Sequence, residues 1–510
     1  MMLHFLGFSV AFLGLLGQGS AATNTTTQQC CAMLNANSYT VLSSNAPTFE
    51  FERTDYWSTT TWLEPTCIYM PKTTEEVSKA VALFAEHGCR FAIKGGGHST
   101  IPGAANIDNG VTMVLKQLND TEVNLDEHWI RVGTGNVFAE VYRELDPHGQ
   151  VAVVGRLKPV GFGLAVAAGV SYLSNSQGWA IDNVLSYEVV LANGTVVEAN
   201  ATNNADLHWA LKGGNNNFGV VTHMKLATYD TKGVYGGDLT YPESSLDQLV
   251  SANYDYIVRQ SVEDPLTHSI PTIGYNATSD SASAFVTLVY NDRVNSTPAI
   301  FQPWLDTPHD SNAMRLRDTY GSLVEEVRDS TGDGNVNLSK TPGSHSMASI
   351  ELRTFTIYPD EDLILDFWHT YHDWMRNWSH INGLYGFNQF WALTPRTRAE
   401  ANEKGGNALG LDSAGDKPLA IILFNISFHK LEDADAVLPA FNDLVKSCIE
   451  KAKERGKFHP YIMLTLAGWD QEVLASYGEE NVAKLKQIAS AYDPDAVFQN
   501  LVPGGQKLPA

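Results

Sequence analysis

The sequence predicts an α+β protein built of two domains. Three observations carry this. At 510 residues the chain is longer than one hydrophobic core usually organises, and 44% of it is hydrophobic. Helix-period and strand-period segments alternate up to about residue 230. Beyond that point the texture changes to Tyr- and Trp-rich strands, longer helices and polar loops at 329–346 and 401–417, which marks 231–455 as a second domain. Charged residues make up only 18%, and no internal repeat or long charge run is present, which argues against disorder and coiled coil. A net charge of −23 repels phosphate backbones and argues against nucleic acid as a partner.

The first element is an apolar run from Phe5 to Leu16. Ser20 and Ala22 follow at the positions a signal peptidase reads, so residues 1–22 read as a signal peptide and the protein as secreted. The run is shorter than the roughly 20 residues of a membrane span, and no later segment is long enough, so no membrane partner is expected. Glycosylation sequons at Asn24, Asn119, Asn193, Asn200, Asn276, Asn295, Asn337, Asn377 and Asn425 fit a secretory route. So does the cysteine pattern. Cys30, Cys31, Cys67 and Cys89 cluster near the N-terminus and allow two disulfides in one of three pairings. Cys448 is left as a buried thiol. No Cys-x-x-Cys pair supports a zinc site, and no metal is expected.

Residues 74–88 read as a helix, capped by Thr73 or Thr74, with Val77, Val81 and Phe84 on one face and Gly88 as its stop. A short strand, Phe91 to Lys94, runs into Gly95-Gly96-Gly97-His98-Ser99. Strands are expected at 111–115, 129–133 and 151–154, with a helix at about 137–145. Residues 187–198 form a hairpin around Asn193-Gly194, a pair that favours a type I′ turn. A short helix at 206–212, a strand at 218–229, an amphipathic helix at 434–455 and a helix at 479–492 complete the reading.

The sharpest chemical feature is the glycine triplet. Three glycines after a strand let the backbone approach a ligand closely and turn successive N–H groups toward an anion. A tight turn with a structural histidine would use the same residues. Other nucleotide-binding and hydrolase signatures do not occur in the sequence. Gly133-x-Gly135 and Gly161-x-Gly163 lack the last small residue of a dinucleotide fingerprint, and there is no P-loop, no Gly-x-Ser-x-Gly elbow and no His-Glu-x-x-His.

Phe91-Ala-Ile-Lys-Gly-Gly-Gly-His-Ser99 followed by Pro102-Gly-Ala-Ala-Asn-Ile-Asp108 resembles the pyrophosphate loop of the vanillyl-alcohol-oxidase type of FAD-linked oxidases, also called PCMH-type. The berberine-bridge-enzyme-like branch, in its fungal form, is the nearest pattern. Gly178-Trp-Ala-Ile-Asp-Asn-Val184, Asp206 to Gly214 with Asn217 to Thr222, and Tyr492 to Pro503 are similar to further segments of that family, in the same order. The resemblance implies an FAD domain assembled from both chain ends (23–230 and 456–510). It also implies an inserted substrate domain of antiparallel sheet plus helices (231–455). It implies that His98 bonds covalently to the flavin 8α carbon, and that Lys94, Gly95, Gly96, Gly97, Ser99, Pro102, Gly103 and Ala104 cradle the pyrophosphate. Gly161, Gly163, Asp182, Asn183 and Val184 would line the ring and ribityl chain, and Gly219, Val220, Val221 and Asn500 would complete the cofactor site.

The sequence departs from the family pattern twice. Bicovalent members carry a cysteine where Gly155-Arg-Leu-Lys-Pro-Val-Gly161 places Leu157, so a single covalent link through His98 is expected. Many members place a base tyrosine where this chain has Thr465 and Leu466, and leucine has no acid–base function. Tyr461, His459, Asp470 and Asn388 are the substitutes within reach by sequence, with Gln389 and Trp391 as further pocket candidates. The resemblance implies a secreted oxidase that moves a hydride from a small, aromatic or secondary-metabolite substrate to flavin N5, with O2 as acceptor and H2O2 as product. Two other functions compete with it: a non-oxidative flavin cyclase or isomerase acting on a polyketide-like substrate, and a secreted binding glycoprotein without flavin.

Overall fold

The computed structural model describes residues 27–37, 39–327 and 348–510. The expected signal peptide, the sequons at Asn24 and Asn337 and the loop 329–346 lie outside the described residues.

Three sheets organise the described residues. The first is small. Strand Val111–Val114 lies parallel to both Cys67–Tyr69 and Phe91–Lys94, and Val41–Leu42 closes one edge. The helix Thr74–His87 packs on it through Val77, Ala80, Val81 and Phe84. Its ends follow the sequence: the Thr73 hydroxyl accepts from the Glu76 N–H, and Gly88 takes the left-handed conformation (φ 66°). Cys30–Cys89 and Cys31–Cys67 are the two disulfides, and both tie an N-terminal helical segment to this sheet. Val497, Phe498 and Val502 enter the same core, so the two chain ends share one apolar cluster.

The second sheet has the long strand Val220–Asp230 at its centre, flanked by Trp129–Gly133 and Val184–Val190. The hairpin Val184–Val190 to Val196–Asn200 forms as expected, but its turn differs. Among the turn residues only Gly194 has positive φ (82°), and its N–H bonds to the Leu191 carbonyl. A type I′ turn would need positive φ at Asn193 too; the longer loop leaves Asn193 in an ordinary conformation and gives Gly194 the single left-handed position.

The third sheet has nine strands, antiparallel throughout, running from Ser311–Asn312 at one edge to Phe458–His459 at the other. Phe458–His459 thus still belongs to this sheet, just past the expected domain boundary at 455. Helices Leu246–Asp255, Glu361–Asn377 and Ala434–Glu454 bury their apolar faces on one side of it. The other side faces the second sheet and carries the cavity described below. Cys448 sits inside the helix-covered core as a free thiol, pushed up to about 12 by burial.

Asn119, Asn193, Asn276, Asn295 and Asn377 are exposed and Asn200 is half-exposed, so a glycan can reach them. Asn425 is a correction. It is 2% exposed in the middle of strand Leu419–Phe428, with its Nδ2 donating to the Glu351 carbonyl at 3.4 Å, and no glycan fits there.

Candidate active site

Where strand Phe91–Lys94 ends, the chain turns through Gly95, Gly96 and Gly97. Gly97 has φ 69°, a conformation side-chain-bearing residues rarely adopt. Gly96 lies directly against Gly161: a Cβ built on Gly96 would stand 2.6 Å from the Gly161 nitrogen. The slot so formed opens into a cavity of about 340 Å³. Gly95, Gly96, Gly97, His98, Ser99 and Ala104 line one end of it, and Gly161, Gly163, Gly219, Val220 and Val221 line the facing wall. Gly219 is glycine for the same kind of reason: a Cβ there would meet Val189 Cγ1 at 2.4 Å. Glycines at points of backbone contact, on a wall of small residues, fit a flavin dinucleotide laid along this slot.

The His98 ring is half-buried and stacks on Trp57, with centroids 4.2 Å apart and planes at 16°. Trp57 is held in turn by its backbone N–H, which bonds to the Gly97 carbonyl at 3.0 Å. The other sequence candidates fall behind the wall. Lys94 points away from the cavity, with its ammonium 3.3 Å from Asp55 and 4.2 Å from the centre of the Tyr56 ring. Burial lowers its proton affinity, and Asp55 and Glu52 oppose that. Pro102 is exposed, and Gly103 touches Gly504 of the C-terminal tail. Asp182 accepts from the Trp179 N–H and from Asn407, both at 2.8 Å. Asn183 donates to the Gln177 and Trp179 carbonyls and accepts from Tyr229 and Lys404. The carbonyl of Val184 is 2.9 Å from His208 Nε2. Asp182 and Asn183 brace the turn against the substrate domain through Asn407 and Lys404, and Val184 ties it to the helix that carries His208. Asn500 is exposed on a short helix, and it is Gly505 and Gln506, which the sequence reading missed, that reach the cavity.

The far half of the cavity is walled by the nine-stranded sheet. Phe387, Gln389 and Trp391 face it from one strand, with Ile270 and Thr272 from the adjacent strand and Phe285 and Thr287 from the strand beyond. Side chains alternate along a strand, so Asn388 is turned to the opposite face, fully buried, with no described hydrogen-bond partner for its amide. Gln389 donates to Thr272 at 2.6 Å and accepts from the Trp391 indole at 3.0 Å. Leu157 lines the cavity, as does the turn Met463, Leu464, Thr465 and Leu466. Arg156 and Tyr172 also line it. Sequence reasoning passed over Arg156, although it stands beside Leu157, because nothing local marks an arginine as buried.

The remaining catalytic candidates stay off the cavity wall. Tyr461 is 1% exposed, stacked on Tyr477, and burial raises its phenol well above the ordinary value. His459 faces Ser413 Oγ at 3.3 Å, and burial lowers it to about 4. Asp470 is 3.0 Å from the Arg353 guanidinium. Among the described residues no cluster of metal-ligating side chains occurs, and no helix is long and apolar enough to cross a membrane.

Residues 65–200 match the family described as an FAD binding domain. The chain is 32% identical to the FAD-dependent monooxygenase prx3 of Penicillium roqueforti, over 99% of this chain and 98% of that protein. It is 30% identical to the bifunctional solanapyrone synthase of Alternaria solani, over 94% and 88% of the two chains. Among solved structures, a glucooligosaccharide oxidase from Acremonium strictum, described with a 6-S-cysteinyl, 8α-N1-histidyl FAD, superposes with a TM-score of 0.75. It shares 20% identity over 95% of this chain and all of that one. A BBE-like protein from Physcomitrella patens superposes with a TM-score of 0.74, at 17% identity over 95% and 99%.

Proposed function

We propose that this chain, which belongs to the fungal FAD-dependent oxidoreductases of the berberine-bridge-enzyme-like type, is a secreted oxidase of a small, largely apolar metabolite. The observation that carries the proposal is the continuity of one cavity. Its glycine-lined end is shaped for a dinucleotide, and its other end is walled by Phe285, Phe387, Trp391, Leu352 and Leu423. FAD, when bound, supplies the two-electron acceptor for a substrate hydride, and dioxygen takes the electrons onward to give hydrogen peroxide.

The chain's own residues bind and orient. Gly95 to Ser99 and Gly161 to Gly163 hold the cofactor, and His98, fixed by Trp57, supplies a single covalent link at the 8α carbon. Leu157 leaves no second link, since leucine forms no thioether. The apolar walls exclude water and position the substrate. Leu466 stands in the wall where many members have a base, and Tyr461, His459 and Asp470 stand outside the cavity. Among the described residues none of the candidate bases reaches the wall, and this reading expects a substrate oxygen acidic enough to lose its proton without one.

An absorbance scan before and after acid precipitation tests the cofactor reading. Yellow colour that stays with the precipitate supports the covalent link, colour in the supernatant removes it, and a colourless protein removes the flavin. Oxygen uptake with labelled dioxygen tests the chemistry. Stoichiometric peroxide without label in the product supports an oxidase, and label in the product supports a monooxygenase.

A second reading, a flavin-dependent cyclase or isomerase on a polyketide-like substrate, is favoured by the base-free wall at Leu466. The relative named a bifunctional synthase also favours it. Turnover that proceeds without oxygen, with the flavin remaining oxidised, selects this reading over the oxidase.

A further inference from the structure

We propose that Arg156 is the anchor of an anion subsite, and that the substrate of this cavity carries a conjugated oxyanion (an enolate, phenolate or carboxylate) held against its guanidinium. The inference rests on the cavity being the substrate site described above.

Arg156 follows the strand Gln150–Ala152 and leads into Leu157 on the cavity wall. Arg156 is half-buried, and it lines the cavity. Its guanidinium carbon lies 4.3 Å from the centre of the Trp391 ring, and Nη1 is 3.1 Å from His268 Nε2. His268 is itself buried, and burial together with the charge of Arg156 holds it well below its ordinary proton affinity, so it accepts as neutral imidazole. Tyr172, edge-on to His268, donates its hydroxyl to the Arg156 carbonyl at 3.4 Å and stays neutral, its phenol pushed up by burial.

Every described neighbour of this cation is therefore neutral. Among the described residues no carboxylate lies within 4.0 Å of it. The buried arginines are held differently. Arg353 has Glu351 and Asp470, Arg317 has Glu326, and Arg398 has the carbonyls of Gly415 and Lys417. Arginine does not shed its proton at physiological pH, and a guanidinium carries five donors, of which one is used here in a described hydrogen bond. A charge shielded from water without a counter-ion is unfavourable until one arrives. The planar fork matches a flat, delocalised oxyanion, and the cavity is the open space beside it.

This also accounts for a wall without a base at Leu466. A substrate that binds as its conjugate base brings an already ionised oxygen.

The test uses the purified full chain and two flat probes of one shape, benzoate and benzamide, titrated by calorimetry at pH 7.5. Benzoate is expected to bind about 30-fold or more tightly than benzamide. Arg156→Met should abolish that preference by weakening benzoate far more than benzamide, and Arg156→Lys should keep part of it. Equal affinities for the two probes, no benzoate binding up to roughly 10 mM, or a folded Arg156→Met that binds benzoate as tightly as the parent would each overturn the proposal. If Arg156→Met does not fold, the parent protein's two affinities and Arg156→Lys still decide. A yellow protein that fails this test loses the subsite and keeps the oxidoreductase. A colourless protein loses the flavin reading, while calorimetry still reads Arg156.

Discussion

The indole of Trp57 lies nearly parallel to the imidazole of His98, 4.2 Å away and tilted by 16°, and the backbone N–H of Trp57 is tied to the loop that carries His98. The pair fixes the plane of the ring proposed to bond the flavin. Stacking of this kind contributes about 0.5–1.5 kcal/mol beyond burial. Trp57→Leu should therefore slow or reduce covalent attachment without unfolding the protein. His98→Ala should abolish it and release any flavin on acid precipitation. The measured quantity is the fraction of yellow colour that remains with the precipitate. Full retention in His98→Ala would remove the assignment.

Gly96 and Gly161 should be the least tolerant positions of the loop. An alanine at Gly161 would place its Cβ 2.5 Å from the Gly96 nitrogen, a contact between two backbones that neither can relieve by rotating a side chain. Either alanine variant should lose most of its flavin and about 1–3 kcal/mol of stability. Gly163→Ala is the informative comparison, since a Cβ there meets no protein atom within 4 Å. It should melt like the parent protein, so that any loss of flavin absorbance reports a cofactor lying against it.

Tyr461→Phe should leave turnover within about twofold. The hydroxyl is buried outside the cavity wall and has no described hydrogen-bond partner. Removing an unsatisfied buried hydroxyl is neutral to stabilising, by up to about 1 kcal/mol, because its desolvation is no longer required. A large fall in turnover, with the melting temperature unchanged, would return Tyr461 to the catalytic groups.

An ion cluster around the buried His223, away from the cavity, predicts a pH window. His223 lies between Glu188 at 2.8 Å and Asp120 at 2.9 Å. Burial alone would lower its proton affinity, but the hydrogen bonds to the two carboxylates raise it above 6.5. The hydrogen bond from His223 is the main reason Glu188 falls to about 2. A raised histidine contributes stability that is complete below its unfolded value and lost as pH rises through the folded one. A depressed carboxylate contributes stability that is complete above its unfolded value of 4.5 and lost as pH falls toward 2. The cluster should stabilise most between about pH 5 and 6.5. His223→Gln should lower the melting temperature most in that window, by the equivalent of about 1–2 kcal/mol, and progressively less above it. A difference that does not vary with pH would show that His223 only fills space.

Much of the site's cofactor end was legible before any fold was known. Leu157 and Leu466 stand out only against the family pattern the sequence resembles, whereas the glycine triplet after a strand, the following histidine and the helix bounded by Thr73 and Gly88 are all local. Their physics is contained in a few adjacent residues. The α+β class follows from periodicity in the same way.

Other features depend on partners distant in sequence. The cysteines allowed three pairings, and only the packing of the N-terminal segment on the first sheet selects Cys30 with Cys89 and Cys31 with Cys67. Strand register turns Gln389 and Trp391 into the cavity and Asn388 out of it, a difference of one residue that composition cannot express. Tyr461, His459 and Asp470 are near the expected base in sequence, yet the turn at 463–467 carries Leu466 to the wall and leaves them behind. Arg156 is the clearest case. By residue type it belongs on the surface, and only the closure of the substrate sheet over the second sheet encloses its charge and turns it toward the cavity.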